Sequence, residues 1–246
     1  MSDLDGARVE GRQAVRELLR ARRRQVRRVV VSDPGAVPEI IDLAESAGVP
    51  VRRVSSDELR ALARTEAPQG VVAEAAPVRP FDLEELLGPR AGAPLPFLVV
   101  LDGVTDPRNF GAIMRSALGA GATGMVVARH RAVQLTPAAL KAAAGAAEHL
   151  PIAQVGGIPS ALAAISAAGL WTVGLDAEAE TPVWGLTVAD QPVALVLGAE
   201  GRGLSPLARR RCQVLAAIPQ TGPLDSLNVS AAAAVACFEV ARLRLT

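Results

Sequence analysis

Residues 193–205 read Val193-Ala194-Leu195-Val196-Leu197-Gly198-Ala199-Glu200-Gly201-Arg202-Gly203-Leu204-Ser205. An unbroken apolar run that ends in a glycine-rich turn is typical of a strand covered on both faces of a parallel sheet and followed by a helix. Four other stretches share the apolar pattern: Phe97–Leu101, Gly124–Ala128, Trp171–Leu175 and Val214–Ile218. Helices are predicted around them, at Phe110–Ala120, Pro137–Ala147, Ser160–Ala168, Ser205–Arg211 and about Asn228–Leu243. The alternation predicts a doubly wound α/β fold, in which ligands bind at the carboxyl ends of parallel strands.

A smaller α/β unit precedes this sheet. Its predicted elements are a helix at Gly11–Arg22, a strand at Val29–Val31, a helix at Pro38–Ala47, a strand at Val49–Val54, a capping box formed by Ser55 and Glu58, and a strand at Gln69–Ala73. A Pro/Gly-rich stretch follows and holds one short helical turn around Leu83–Leu87. We therefore divide the chain into a small domain at 1–77, a linker at 78–95 and a larger domain at 96–246.

The composition excludes several classes of protein. Half of the 246 residues are apolar but only four are Phe, two Trp and none Tyr, so the core is built from Ala, Val, Leu and Ile. The N-terminus lacks the apolar core of a signal peptide, and no apolar run free of charge or proline reaches the roughly 18 residues that a membrane helix needs. We expect a cytoplasmic protein. Cys212 and Cys237 have no metal-ligand spacing, which favours two small buried hydrophobic residues and no metal site.

Basic charge is concentrated near the N-terminus. The net charge is only +1, yet residues 8–28 carry nine Arg against Glu10 and Glu17, and Arg22, Arg23 and Arg24 are consecutive. Two interpretations stay open. The segment is either a solvated helix face in an arginine-rich chain, or a surface that follows nucleic-acid phosphates, to which arginine binds bidentately.

Three loops at strand ends carry polar groups. The first, Asp102–Ser116, offers Asp106 or Asn109 as a helix cap and places Asn109 and Arg115 about 120° apart on one helix. The second, Gly198–Ser205, has the spacing GxxGxG, which is not the dinucleotide fingerprint, and its Glu200 would repel a pyrophosphate. It is either an ordinary strand-to-helix turn or a site for a ligand without phosphate, such as the sulfonium cation S-adenosylmethionine. The third, Pro219–Ser230, supplies Ser226 and Asn228, which by themselves indicate only a helix start.

Taken together, the three loops resemble the three signature motifs of the SpoU-type ribose 2′-O-methyltransferases in the SPOUT superfamily. The matching residues are Asn109 with Arg115, the stretch Leu197–Gly201, and the stretch Ser226–Ser230. The stretches Val9–Val15 and Gln69–Ala73, with Lys141 and Ala144–His149, resemble one subgroup, which methylates a guanosine ribose in the peptidyl-transferase region of 23S rRNA.

The resemblance implies a C-terminal trefoil knot, an L30e-like N-terminal RNA-binding domain, S-adenosylmethionine as cofactor and a homodimer in which both subunits contribute to each site. It implies catalytic roles for Asn109, Arg115, Glu200, Ser226 and Asn228. It implies cofactor contacts at Leu197, Gly198, Gly203, Ile218 and Leu227. RNA contacts are expected at Arg12, Arg22, Arg23, Arg24 and Arg108.

Arginine rarely loses a proton, so Arg115 has two candidate roles. It either activates the ribose hydroxyl or holds the target phosphate as a cation. Alternatives to the whole reading are 2′-O-methylation of tRNA or of another rRNA site by a resistance-type enzyme, and a noncatalytic RNA-binding or ribosome-assembly protein. The latter would not need Asn109, Arg115 and Glu200 together.

Overall fold

The computed structural model describes residues 4–88, 94–129, 134–223 and 226–245. The strands are β1 (Arg8–Glu10), β2 (Val26–Val31), β3 (Val51–Arg53), β4 (Val71–Ala75), β5 (Phe97–Asp102), β6 (Gly124–Ala128), β7 (Ile152–Val155), β8 (Trp171–Leu175), β9 (Val193–Gly198) and β10 (Val214–Ala216). The helices are α1 (Arg12–Ala21), α2 (Pro38–Ser46), α3 (Ser56–Leu62), α4 (Leu83–Leu87), α5 (Pro107–Gly119), α6 (Pro137–Ala143), α7 (Ile158–Ala167), α8 (Pro206–Arg211) and α9 (Val229–Leu245). The chain forms two compact units, of which the first combines residues up to Pro80 with Phe110–Arg115 and Gln134–His149.

The second unit is built on a six-stranded sheet in the order β10-β8-β9-β5-β6-β7, and all of its pairs are parallel. The predicted parallel α/β sheet is therefore confirmed. Strands β5 and β9 lie at its centre, where Val100 and Val196 have no exposed surface. Leu162 and Ile165 of α7 cover one face of them. Burying each of these side chains contributes roughly 1.5–3 kcal/mol to the free energy of unfolding. The central strands are therefore held firmly and can position a site at their ends.

The first unit is built on a four-stranded sheet in the order β1-β4-β2-β3. Strand β4 is antiparallel to both of its neighbours, whereas β2 and β3 are parallel. Helix α1 buries Val15, Leu18 and Leu19, as its apolar spacing requires. Half of the predicted capping box of α3 is found: the Ser55 hydroxyl accepts a hydrogen bond from the Glu58 amide at 3.1 Å, whereas the Glu58 carboxylate pairs with Arg52.

Several local predictions were incomplete or wrong. Strands β1 and β7 were not predicted, and both are short segments of three and four residues. The helix predicted over Pro137–Ala147 ends at Ala143, because Ala144 and Gly145 have φ values of 50° and 94° in the left-handed region. A side chain at position 145 would stand 2.3 Å from Cβ of Glu17, so glycine is required for this turn against α1.

Both cysteines fit the expectation of inert side chains. Cys237 is fully buried and Cys212 is half-buried. Burial raises the pKa of each thiol to about 12, so neither is a thiolate at neutral pH. Within the described ranges, no group of three or more His, Cys, Asp or Glu side chains is arranged to hold a metal ion. None of the helices described is both long and apolar enough to span a bilayer.

Candidate functional site

The register of the two central strands brings the first two polar loops together. Asp102, the last residue of β5, lies opposite Gly198, the last residue of β9. The Asp102 carboxylate also accepts a hydrogen bond from the Ser205 amide at 2.7 Å, which fixes the far end of the glycine-rich loop. Sequence reasoning did not single out Asp102. Its position at the carboxyl end of a buried strand was the available signal.

Glu200 joins all three loops. Its Oε1 atom accepts a hydrogen bond from Nδ2 of Asn109 at 2.5 Å and another from Nδ2 of Asn228 at 2.9 Å. The side-chain oxygen of Asn228 in turn accepts hydrogen bonds from the amide and hydroxyl of Ser230, which anchors Asn228 to the first turn of α9. One carboxylate therefore fixes two amide side chains that are remote from it in sequence.

The glycines of the second loop have distinct roles. Gly201 and Gly203 adopt φ values of 71° and 64° in the left-handed region. The loop folds back on itself, since the Ala199 and Gly203 backbones exchange hydrogen bonds at 2.8 and 3.0 Å. A Cβ at Gly198 would stand 2.1 Å from the carbonyl carbon of Gly203, so the close approach that glycine permits here is made by the loop's own backbone.

A cleft of about 420 Å³ opens beside this loop, within the range of small-molecule sites. It is lined by all five residues predicted to contact a cofactor: Leu197, Gly198, Gly203, Ile218 and Leu227. Glu200 and Ser226 line it as well. The side chains of Leu175, Ala216 and Val229 add apolar surface. The cleft therefore combines apolar walls, which suit a flat heterocycle, with carboxylates at its rim.

Sequence reasoning missed an ion pair in the cleft, formed by a carboxylate and an arginine. Asp176 follows β8 and accepts a hydrogen bond from Nε of Arg209 at 2.5 Å. Burial by itself would raise the pKa of Asp176, but the hydrogen bonds from Arg209 and from the Glu178 amide hold that pKa below its ordinary value. Asp176 is therefore an anion at neutral pH. Its signal in the sequence was the same as that of Asp102, a carboxylate directly after a buried strand.

Helix α5 carries the remaining residues of the first loop. Asp106 caps it by accepting hydrogen bonds from the Arg108 and Asn109 amides at 2.7 and 2.9 Å. Arg115 is exposed and lies six residues after Asn109 on the same helix. Within the first unit, a Cβ at Gly111 would stand 2.3 Å from the Ala139 carbonyl oxygen of α6. Glycine at 111 thus allows α6 to lie directly against the segment that ends in Arg115.

The arginines predicted to bind RNA differ in availability. Arg22, Arg23 and Arg108 are exposed, and Arg12 is exposed while its Nε donates to the Gln69 carbonyl at 3.2 Å.

Arg24 is only 7% exposed. Its guanidinium donates to both carboxylate oxygens of the buried Glu148, at 2.5 and 2.9 Å, and to the carbonyls of Gly6 and Ala76. Arg24 therefore has a structural role in the first unit, with its donors directed inward.

Two family models match the chain. One, described as the SpoU rRNA Methylase family, matches residues 96–238. The other, described as RNA 2′-O ribose methyltransferase substrate binding, matches residues 8–81. The matches fall on the two segments in which the larger and smaller α/β patterns were found.

Individual proteins resemble the chain over nearly its whole length. The 23S rRNA (guanosine-2′-O-)-methyltransferase RlmB of Pseudomonas putida is 38% identical, with 99% of this chain and 98% of that protein covered. The crystal structure of the SpoU methyltransferase AviRb from Streptomyces viridochromogenes has a TM-score of 0.80 at 27% identity, covering 97% and 89% of the two chains. An AdoMet-bound rRNA methyltransferase from Sinorhizobium meliloti has a TM-score of 0.77 at 27% identity, covering 97% and 88%.

Proposed function

Because this chain belongs to the SpoU rRNA methylase family, we propose that it transfers a methyl group from S-adenosylmethionine to the 2′-hydroxyl of a guanosine ribose in the peptidyl-transferase region of 23S rRNA. The observation that carries the proposal is the convergence of Asn109 and Asn228 on Glu200 at the rim of the cleft. A noncatalytic RNA-binding protein has no use for that junction beside a small-molecule cleft.

The cleft fits the cofactor by its chemistry. Leu197, Ile218 and Leu227 offer apolar contacts for the adenine ring, and Gly198 and Gly203 line the cleft without side chains that would fill it. Three carboxylates and two guanidinium groups line the cleft, and Arg209 neutralises Asp176, so the remaining excess of negative charge favours a sulfonium cation over a phosphate. When bound, S-adenosylmethionine supplies an electrophilic methyl group on sulfur.

The chain's own residues then position the ribose and manage its charge. The ribose 2′-oxygen forms a bond to the methyl carbon as the carbon–sulfur bond breaks, and the hydroxyl proton is released. We assign Arg115 to the adjoining RNA phosphate, where its fixed positive charge stabilises the developing negative charge on the 2′-oxygen. Asn109 and Asn228, oriented by Glu200, hold the ribose, and Ser226 closes the pocket. Alignment of the attacking oxygen is the main contribution, because in-line displacement requires close approach.

Substrate capture is assigned to the N-terminal part of the chain. We propose that residues 1–77 form an L30e-like RNA-binding domain, that 78–95 form a linker, and that 96–246 form the methyltransferase domain with a trefoil knot. The separate family-model matches over residues 8–81 and 96–238 support this division. Arg12, Arg22, Arg23 and Arg108 remain candidates for RNA contact, and the buried Arg24 does not. Such contacts read the shape and phosphates of RNA, with the target base unstacked.

We further propose that the enzyme is a homodimer that acts in the cytoplasm. Helix α9 is apolar around most of its circumference, which is unusual for a helix facing water. Phe238 of this helix is 53% exposed and Trp184 is 50% exposed. A second copy covering α9 would remove this apolar surface from water.

The test is transfer of labelled methyl groups to 23S rRNA that lacks its natural modifications, with the modified ribose located by blocked primer extension. A single 2′-O-methylguanosine in the peptidyl-transferase region is the expected result. Modification of tRNA only, or of another rRNA ribose, would retain the reaction and overturn the target. Cofactor binding without transfer to any RNA would overturn the enzymatic assignment.

A further inference from the structure

A second pocket, of about 270 Å³, lies in the first unit, and none of the predicted site residues lines it, although the carbonyl of its Gly6 accepts a hydrogen bond from Arg24. Its polar lining consists of Arg8, Arg27, Arg64, Glu74 and Asp5. The three arginines come from β1, β2 and the segment after α3, which are distant in sequence. Their gathering at one depression is a property of the folded sheet.

Cross-strand pairing places further positive charge at this pocket. Glu74 on β4 lies opposite Arg8 on one side and Arg28 on the other. It accepts hydrogen bonds from Arg8 at 3.3 Å and from Arg28 at 2.8 and 2.9 Å. The hydrogen bond from Arg28 is the largest cause that lowers the pKa of Glu74, and the charges of Arg8 and Arg27 lower it further.

A β-bulge directs Arg27 to the same place. The register between β2 and β4 shifts between Val26 and Arg28, so β2 carries one extra residue, Arg27, at this point. Bulges re-aim side chains that a regular strand would send to the other face. Arg27 is exposed and lines the pocket.

The segment that carries Arg64 is held in place by a buried acid. Glu10 has no exposed surface, and its carboxylate accepts hydrogen bonds from the Arg64 amide at 2.7 Å, the Thr65 amide at 3.0 Å and the Thr65 hydroxyl at 2.5 Å. Arg8 adds a hydrogen bond to the Leu62 carbonyl. The backbone beside the pocket is therefore fixed before any ligand binds, which lowers the entropy cost of binding.

The pocket contains hydrogen-bond donors that no described acceptor occupies. Among the described residues, the guanidinium groups of Arg27 and Arg64 have no hydrogen-bond or ion-pair partner. Three arginines and the two carboxylates Glu74 and Asp5 line the pocket, and Arg28 pairs with Glu74 from outside the lining, so positive charges exceed negative charges there by two. A compact oxyanion with several acceptor oxygens matches this arrangement, because the arginine fork binds phosphate bidentately.

We propose that this pocket binds one or two backbone phosphates of the RNA substrate through Arg27 and Arg64. The proposal rests on the proposed function, which makes RNA the ligand of the first unit, and it adds a phosphate site that the three motif loops do not contain. Phosphate contacts set the register of a protein on RNA without reading its sequence. The pocket therefore fixes where along the substrate the enzyme sits.

The experiment compares two double variants of the full-length protein. Arg27→Ala/Arg64→Ala removes the proposed contacts. Arg53→Ala/Arg60→Ala removes the same charge from exposed arginines of the same unit outside the pocket. Affinity for a 23S rRNA fragment is measured by fluorescence anisotropy over a range of KCl concentrations. We expect the pocket variant to bind about tenfold more weakly or worse and its salt slope to fall by roughly 0.7–0.9 per lost contact. The control variant should stay within about twofold of wild type.

Other outcomes overturn the proposal. Equal losses of RNA affinity in both double variants would show that general surface charge, and not the pocket, attracts the RNA. Unchanged RNA affinity in the pocket variant would show that Arg27 and Arg64 do not contact the RNA. A third arm titrates inorganic phosphate at constant ionic strength. Phosphate binding that the pocket variant loses, together with an unchanged RNA salt slope, would show a site for free phosphate instead.

Thermal unfolding and calorimetric cofactor binding should match wild type in both variants, since all four substituted side chains are exposed. Loss of the proposed function is distinguishable from loss of this site. In the first case the wild-type protein methylates no RNA, and in the second it methylates RNA while the pocket variant binds as well as the wild type.

Discussion

Asn109 and Asn228 donate hydrogen bonds to the same atom, Oε1 of Glu200. The two amides come from different motif loops that are far apart in the sequence. The described residues show no direct hydrogen bond between them. A single carboxylate oxygen thus sets the orientation of both. Removing that oxygen should disturb at once the two groups that we propose to position the substrate, and this shared dependence leads to the first prediction.

Glu200→Ala should lower kcat/KM for methyl transfer by about 100-fold, because hydrogen bonds to a charged acceptor contribute about 1.5–3 kcal/mol. Glu200→Gln keeps one acceptor oxygen, so its kcat/KM should lie between the values of Glu200→Ala and wild type. The measurement is single-turnover methyl transfer with saturating cofactor. Glu180→Gln, an exposed acid outside the junction, should leave the rate unchanged. A normal rate in Glu200→Ala would rule out the junction as a positioning device.

Arg115→Ala should reduce the rate of transfer by about 10²–10³-fold while leaving cofactor affinity intact, as for loss of a transition-state charge stabiliser. Arg115→Lys separates the two candidate roles through its pH dependence. A cationic clamp predicts that its activity falls as pH approaches the ordinary lysine pKa of about 10.4. A base predicts a rise over the same range. The charge-matched control is Arg129→Ala, which removes an exposed arginine of the second unit that does not line the cleft.

Gly198→Ala should weaken cofactor binding by at least about tenfold, because the added Cβ meets the backbone of Gly203 and overpacking of this kind costs typically 1–3 kcal/mol. Gly201→Ala meets no atom within 4 Å and carries only the strain of its positive φ. Its effect should be smaller. Calorimetric titration with S-adenosylmethionine gives the comparison, and equal affinities in the two variants would contradict the close approach at Gly198.

Glu148→Gln should destabilise the protein by about 3–5 kcal/mol, since it leaves the charge of Arg24 buried without its counterion. The matched control is Glu58→Gln, which breaks the Arg52 pair at 54% and 44% exposure and should cost less than about 1 kcal/mol. Urea unfolding followed by circular dichroism measures both. Comparable midpoints for the two variants would show that the buried pair contributes no more than a surface pair.

Glu74 makes stability depend on pH in the acid range. Its folded-state pKa is lowered, chiefly by the hydrogen bond from Arg28, so its stabilising contribution is complete above the ordinary value of 4.5 and is lost as pH falls through the lower folded-state value. The difference in melting temperature between wild type and Glu74→Gln should therefore shrink between about pH 6 and pH 3. The exposed Glu45→Gln serves as control. A difference that grows on acidification would reverse the sign and refute the ion-pair origin.

Much of the second unit was predictable because its strands are long, apolar and separated by glycine or proline. Gly124–Ala128 and Trp171–Leu175 were located to the residue. The five residues expected to contact a cofactor all line one cleft, because loops after parallel strands meet at one edge of the sheet. In contrast, β1 and β7 have too few residues to show a period.

Side-chain partners were not predictable, because they depend on tertiary geometry. The sequence indicated Glu200 as a catalytic candidate without a partner, whereas in the structure it binds Asn109 and Asn228. It also presented Arg24 as one of three equivalent cations. The fold buries only that one, since its acid arrives from a segment more than 100 residues later.

The discontinuity of the first unit has a consequence for synthesis on the ribosome. All four strands of its sheet are translated by residue 75, but its segment 134–149 appears only after more than half of the chain has been made. Chains emerge from their N-terminus, and a domain folds once its parts are available. Until His149 leaves the exit tunnel, Arg24 lacks the carboxylate of Glu148, and the first unit lacks helix α6 although its sheet has all four strands. The unit whose synthesis begins first therefore completes its folding late. A polypeptide arrested before residue 134 would contain every strand of that sheet but would lack helix α6 and Glu148, which complete the unit.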